Sequence, residues 1–193
     1  VAELTSAARI KRVLGIPAAI TLHDTYLGEL ADAVDTLVLE YCGQPTLTWG
    51  SGFSDKFDVE LNGMSEVMLR RFPVEEVTAV LDAGSTLSAD SWYLDSRTGA
   101  VRLTGAGAAF TQGKQKVEVQ YTAGHTAASP GLNTLAHAAS VWATALFNAG
   151  RHAGLRSEGA GSYRYSVDTD GVPAPVRAML SSYIRIIPRD SQP

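Results

Sequence analysis

Leu22-His-Asp-Thr-Tyr-Leu-Gly-Glu-Leu-Ala-Asp-Ala-Val-Asp-Thr-Leu-Val-Leu-Glu-Tyr-Cys-Gly43 reads as one long amphipathic helix around which the rest of the chain is organised. Leu27, Leu30, Val34, Leu37 and Tyr41 recur three or four residues apart, with Ala31, Ala33 and Val38 widening the stripe. That spacing predicts one buried helix face. Thr21 is placed to accept from the first free amides, and Asp24 suits the positive helix end. Gly43 supplies a left-handed stop, and Pro45 blocks continuation. At ~1.5 Å per residue the helix is a rod of about 30 Å. Its apolar face demands partners, and both ends of the chain offer them.

On the N-terminal side, Leu4, Ala7, Ala8, Ile10, Lys11, Val13 and Leu14 repeat with helical spacing after a predicted cap at Thr5, and Gly15 and Pro17 end the run. The basic trio Arg9, Lys11 and Arg12 reads first as a solvated face. On the C-terminal side, Pro130 opens a second long helix with Leu132, Leu135, Ala136, Ala139, Trp142, Ala143, Leu146 and Phe147 on a broad face. Its alanines permit close packing against the first rod. Pro173 and Pro175 start a last helix through Val176, Met179, Leu180, Tyr183 and Ile184.

Between the long helices the texture changes to strands. Residues 44–56 are turn-forming and polar, and predict a flexible loop carrying Trp49 and Phe53. Phe57 to Leu61 alternates, Asn62-Gly63 signals a hairpin, and Met64 to Phe72 is expected to return along it. Val77–Leu81 is a further strand, and 91–95 with 100–103 form a second hairpin. Lys116–Thr122 alternates with Val117, Val119 and Tyr121 on one face. Short strands joined by tight turns imply antiparallel pairing. The expected fold class is α+β, a small bundle of long helices with an antiparallel β-hairpin insertion. The expected layout is one domain over 1–193, with a helical body at about 4–43 and 130–187 and a β-insert at about 57–122. A second flexible loop is expected over 153–171, within which Tyr163, Tyr165 and Val167 alternate as a short strand does.

The chain has 193 residues, 45% apolar and 19% charged, with a net charge of −4. This is a core-forming composition, not a disordered one. Without a concentrated basic surface, attraction to nucleic acid by charge alone is not expected. The single Cys42 excludes an internal disulfide and a thiolate zinc cluster. Its place near a helix C-terminus raises a thiol pKa, so a buried structural role is expected. No apolar run reaches the ~18 residues of a membrane span, and no signal-type series opens the sequence given. A cytoplasmic or particle-borne protein is expected.

Catalytic constellations are sparse. Glu75 and Glu76 are adjacent and face opposite sides of a strand. Asp168-Thr-Asp-Gly171 resembles part of a calcium loop without its remaining ligands. His23, His125, His137 and His152 never sit in pairs on one helical face. His125, after a strand end, is the best candidate base, without a carboxylate partner in the nearby sequence. No catalytic residue, cofactor or metal is expected.

The ordered set of motifs resembles the phage head–tail connector family, also described as head completion or adaptor proteins. The matching stretches are Leu4-Thr-Ser-Ala-Ala-Arg-Ile-Lys-Arg-Val-Leu-Gly-Ile16, His23-Asp-Thr-Tyr-Leu27 and Leu39-Glu-Tyr-Cys-Gly43, then Leu69-Arg-Arg-Phe-Pro-Val74 leading into Val77-Thr-Ala-Val80. Trp92-Tyr-Leu-Asp95 with Thr98-Gly-Ala-Val-Arg-Leu103 follows, and then Val117-Glu-Val-Gln-Tyr-Thr-Ala-Gly-His125 before an alanine-rich helix. Last come Arg156-Ser-Glu-Gly-Ala-Gly-Ser-Tyr-Arg-Tyr-Ser-Val167 and Val172-Pro-Ala-Pro-Val-Arg-Ala-Met-Leu180. The likeness runs over about residues 4–187 and departs at His125, where many relatives carry an aromatic, and in the loop 44–56.

The resemblance implies a structural adaptor in the virion neck, assembled in the host cytoplasm. Such adaptors form a homo-oligomeric ring, commonly of twelve copies, that joins the portal protein to the stopper or tail completion protein. DNA passes through the ring without specific binding, and no membrane is involved. Candidate interface residues are Trp49, Phe53, Tyr163, Tyr165, Ile186 and Ile187, expected to order on assembly. Two other classes remain open: a β-rich host- or carbohydrate-binding module with Trp49, Phe53 and Trp92 on one face, and a hydrolase using His125 with a distant carboxylate.

Overall fold

The computed structural model describes residues 4–60, 63–151, 157–160, 163–166 and 171–185, with the side chains of 151, 157–160 and 163–166 left aside. The fold is mixed α+β. In chain order the elements are α1 (Ala7–Leu14), α2 (Asp24–Cys42), β1 (Gly50–Val59), β2 (Glu66–Met68), β3 (Val74–Asp82), β4 (Ser85–Thr86), β5 (Trp92–Asp95), β6 (Ala100–Leu103), β7 (Gly113–Ala123), α3 (Pro130–Arg151), β8 (Ser157–Ala160), β9 (Tyr163–Ser166) and α4 (Ala174–Leu180). They fall into two compact units, a helical one of 1–42 and 130–184 and a β one of 43–129 and 185–193.

In the helical unit, α1, α2 and α3 each pack against the other two, and α4 packs on α3. Gly15 (φ 70°) ends α1 and Gly43 (φ 65°) follows α2, both left-handed, as expected for these stops. The cap of α1 differs from expectation. Ser6, not Thr5, accepts the Arg9 amide, because Thr5 is buried and its hydroxyl bonds Ser140 instead. Thr21 contributes its carbonyl to the Asp24 amide rather than a side-chain cap.

The buried stripe of α2 is rotated from the predicted one. It comprises Leu27, Ala31, Val34, Asp35, Val38 and Cys42, while Leu37 is 37% exposed and Ala33 lies outward. The cause is Asp35, whose carboxylate accepts the Leu4 (2.7 Å) and Thr5 (3.1 Å) amides and so is satisfied in the interior. Tyr41 and Tyr26 meet Trp142 and Phe147 of α3 at ring-centroid distances of 6.3 and 6.0 Å. The last helix is shorter than expected. It stops at Leu180, and a 3-10 turn over Ser181–Tyr183 leaves Ile184 outside it.

The β unit is larger than a hairpin. One antiparallel sheet runs β1-β7-β3-β4 and a second runs β2-β6-β5. Both contribute to one core, which includes Phe57, Val67, Val80, Val101, Val117, Val119 and Tyr121. Inward positions alternate along β1 and β7, placing Phe57 opposite Val117 and Asp55 opposite Val119. The predicted pairing of 91–95 with 100–103 is present as β5 and β6.

Two expectations fail here. Residues 50–56 belong to β1 rather than to a loop, and β1 pairs with β7, not with the segment after Gly63. That segment contains β2, which pairs with β6. A turn signal fixes local chain reversal only, and here the partner offering a long matching apolar face lies far along the sequence. Within the helical unit's range, where the sequence predicts a flexible loop over 153–171, β8 and β9 form a two-stranded ladder with Tyr163 opposite Ala160 and Tyr165 opposite Glu158.

Candidate functional site

Of the expected interface aromatics, Trp49 precedes β1 and is 48% exposed. Its position is fixed on two sides. The backbone amide donates to the His125 carbonyl (2.9 Å), and the indole N–H donates to the Glu75 carboxylate. Phe53, three residues into β1, is turned onto its own unit. Its ring lies 5.9 Å from that of Tyr121, with the Arg71 guanidinium 4.3 Å from its centroid, a cation–π distance. Tyr163 and Tyr165 are on β9, and Ile186 and Ile187 lie outside the described residues, as does 168–170 of the Asp-rich segment.

His125 sits where the chain leaves β7. Gly124 just before it has φ 104°, and a Cβ there would lie 2.3 Å from the Thr48 carbonyl oxygen, so only glycine fits. The crossing is closed by the His125 amide donating to Leu47 O (2.9 Å). The imidazole Nδ1 is 3.2 Å from Ser129 Oγ, and burial pushes its pKa below the ordinary histidine value. Glu75 and Ser129 line the same depression. The serine is four residues away inside a turn, with its amide on Thr126 O, so the pair braces the entry to α3. The Glu75 carboxylate is engaged by Trp49.

A group that sequence reasoning missed lies deeper. Asp55, 4% exposed, accepts from the Arg70 amide (2.9 Å), Arg71 Nη1 (3.0 Å) and the Tyr121 hydroxyl (2.6 Å). Burial first, and the Asp55 hydrogen bond second, push the Tyr121 phenol well above its usual range. Arg185 adds a guanidinium, with Nε on Leu69 O (2.9 Å) and its plane over Phe72 at 5.0 Å. Burial is the main cause that lowers its pKa. A signal for Asp55 existed in the sequence. Phe53, Asp55, Phe57 and Val59 alternate, which puts a carboxylate at an inward position of a strand.

These groups hold the β unit together and present no activated nucleophile. Cys42 is buried, and desolvation pushes its thiol pKa up to about 11, the inert condition. Among the described residues no cluster of three or more His, Cys, Asp or Glu could hold a metal, and no helix is long and apolar enough to cross a membrane.

No protein-family model and no curated protein matches the chain. Among solved structures, the chain is similar to one in the neck of an empty gene transfer agent particle computed with C6 symmetry. The identity is 20%, the match covers 97% of this chain and 92% of that one, and the TM-score is 0.57. A chain of the virion of the native gene transfer agent particle matches at 21% identity over 95% and 92%, TM-score 0.57. Another, from the neck of the native particle computed with C12 symmetry, matches at 18% identity over 97% and 94%, TM-score 0.54. The fold of this chain, over nearly its full length, is thus one found in the neck of the gene transfer agent particle.

Proposed function

We propose that the chain is a structural, non-enzymatic subunit of the neck of a tailed phage or phage-like particle. In this reading it forms a ring of twelve copies that joins the portal to the stopper or tail completion protein and continues the DNA channel. The observation that carries it is the fold correspondence, which spans both units and nearly all of each neck chain. The cyclic symmetry of those necks supports a ring built from identical subunits. Such a ring closes through heterologous contacts, two different patches on each copy. A net charge of −4 suits a channel through which DNA slides without adhering.

Trp49, an exposed aromatic of the β unit, is the one that the reading assigns to a neighbour or the portal. The test is negative-stain microscopy of the chain mixed with the portal of its own particle. Twelve-fold rings seated on the portal are expected. A portal that stays bare at saturating chain concentration overturns the reading.

A further inference from the structure

The two helices at the start of the helical unit have segregated charge. Helix α1 carries Arg9, Lys11 and Arg12 and no acidic residue, while α2 carries Asp24, Glu29, Asp32, Asp35 and Glu40 and no basic one. One ion pair joins them, Lys11 Nζ to Asp24 at 2.8 Å, and Lys11 also donates to Ala18 O at 3.0 Å. Asp35 is consumed by the Leu4 and Thr5 amides. Arg9, Arg12, Glu29, Asp32 and Glu40 are left exposed, and none of them forms an ion pair within the described residues.

Both charged faces also carry large apolar groups in the open. Val13 (41%) lies four residues after Arg9, on the same side of the helix, and next to Arg12 in sequence. On α2, Tyr26 (47%) precedes Glu29 and Asp32, and Leu37 (37%) follows them. Because α1, α2 and α3 each pack on the other two, the outer faces of α1 and α2 point away from the shared core in different directions. One copy therefore presents a basic apolar patch and a separate acidic apolar patch. Each is complementary to the other, and neither to itself.

Resting on the ring reading above, we propose that the Arg9–Arg12–Val13 face of α1 on one copy docks onto the Tyr26–Glu29–Asp32 face of α2 on the next copy. Two complementary patches facing different ways generate head-to-tail association, the contact type from which closed rings are built. A partner of another kind explains one patch at a time, whereas a second copy of this chain explains both. Opposite charge sets register and encounter rate, and the apolar groups supply area removed from water.

The test is a charge-swap in trans on the full chain with its portal. Arg9→Glu/Arg12→Glu and Glu29→Arg/Asp32→Arg are each expected to lower ring yield at least about tenfold, since like charges then face each other at every interface. An equimolar mixture of the two variants is expected to restore rings, with the two chains alternating, because every interface is again complementary. All substituted positions are exposed, so circular dichroism and melting of each free variant should match the wild type. Wild-type rings with unimpaired variants overturn the patch assignment and leave the ring reading intact. Impaired variants that the mixture fails to rescue also overturn it, and direct those faces to the portal or another partner. Absence of wild-type rings overturns the ring reading itself.

Discussion

The two units handle charge in opposite ways. In the β unit three cations have a carboxylate close by: Arg71 meets Asp55, Arg102 meets Glu66, and Lys56 meets Glu118. In the helical unit the only ion pair among the described residues is Lys11–Asp24, and the other outward charges on α1 and α2 stand alone. The interiors differ as well. The buried carboxylate of the β unit binds the Arg71 and Tyr121 side chains and the Arg70 amide, all distant in sequence, whereas that of the helical unit binds two backbone amides of the segment before α1. The β unit thus joins distant parts of its chain through these ion pairs and a buried network, while α1 and α2 share a single ion pair and keep their other charges outward, Asp35 excepted.

The sharpest way to break this comparison is Asp55→Ala. It leaves the Arg71 guanidinium and the Tyr121 hydroxyl without their buried acceptor, and should cost about 3–5 kcal/mol in chemical denaturation. Amide exchange should rise first in β1, β3 and β7. A loss below about 1 kcal/mol would mean that the network is ornamental. Asp35→Ala removes an acceptor for two backbone amides without stranding a cation. Its expected cost is smaller, about 2 kcal/mol, with faster exchange confined to α1, α2 and residues 4–6. Equal costs for the two substitutions would erase the distinction between a side-chain network and a backbone anchor.

The smallest effect concerns Cys42. Its thiol keeps its proton up to about 11 in the folded chain, against a usual 9.0. Between those values the unfolded chain releases a proton that the folded chain retains, so stability falls as pH rises. Relative to Cys42→Ala, the wild type should lose stability progressively from about pH 9, on the order of 1 kcal/mol by pH 10. A pH-independent difference between the two proteins would show that Cys42 is not shielded.

Local signals were legible and long-range ones were not. Gly15 and Gly43 announced their helix ends because the left-handed conformation is a property of one residue. The β5–β6 hairpin was legible because a four-residue turn joins its strands. Asn62-Gly63 misled for the complementary reason. Strand pairing is decided by which apolar faces match, and β1 found its match in β7 more than fifty residues on. The glycines and serines of 50–54 hid the start of that strand, since they are poor strand formers carried by their neighbours. The rotated stripe of α2 was hidden too. A periodicity count scores Asp35 as polar and outward, and only the amides of Leu4 and Thr5 make its burial tolerable. Among the site residues, Trp49 was found from composition. The α1/α2 charge segregation lay in plain view, but its meaning depends on knowing which faces remain uncovered.

Strand β7 has a mechanical consequence. Its eleven residues are hydrogen-bonded to β1 along one edge and β3 along the other. Tension applied along it must shear two ladders at once, whereas β5, paired only with β6, is free to peel away one bond at a time. Drawn from its two ends in a force spectrometer, the β unit should first yield at its small sheet, and β7 should be among the last strands to part.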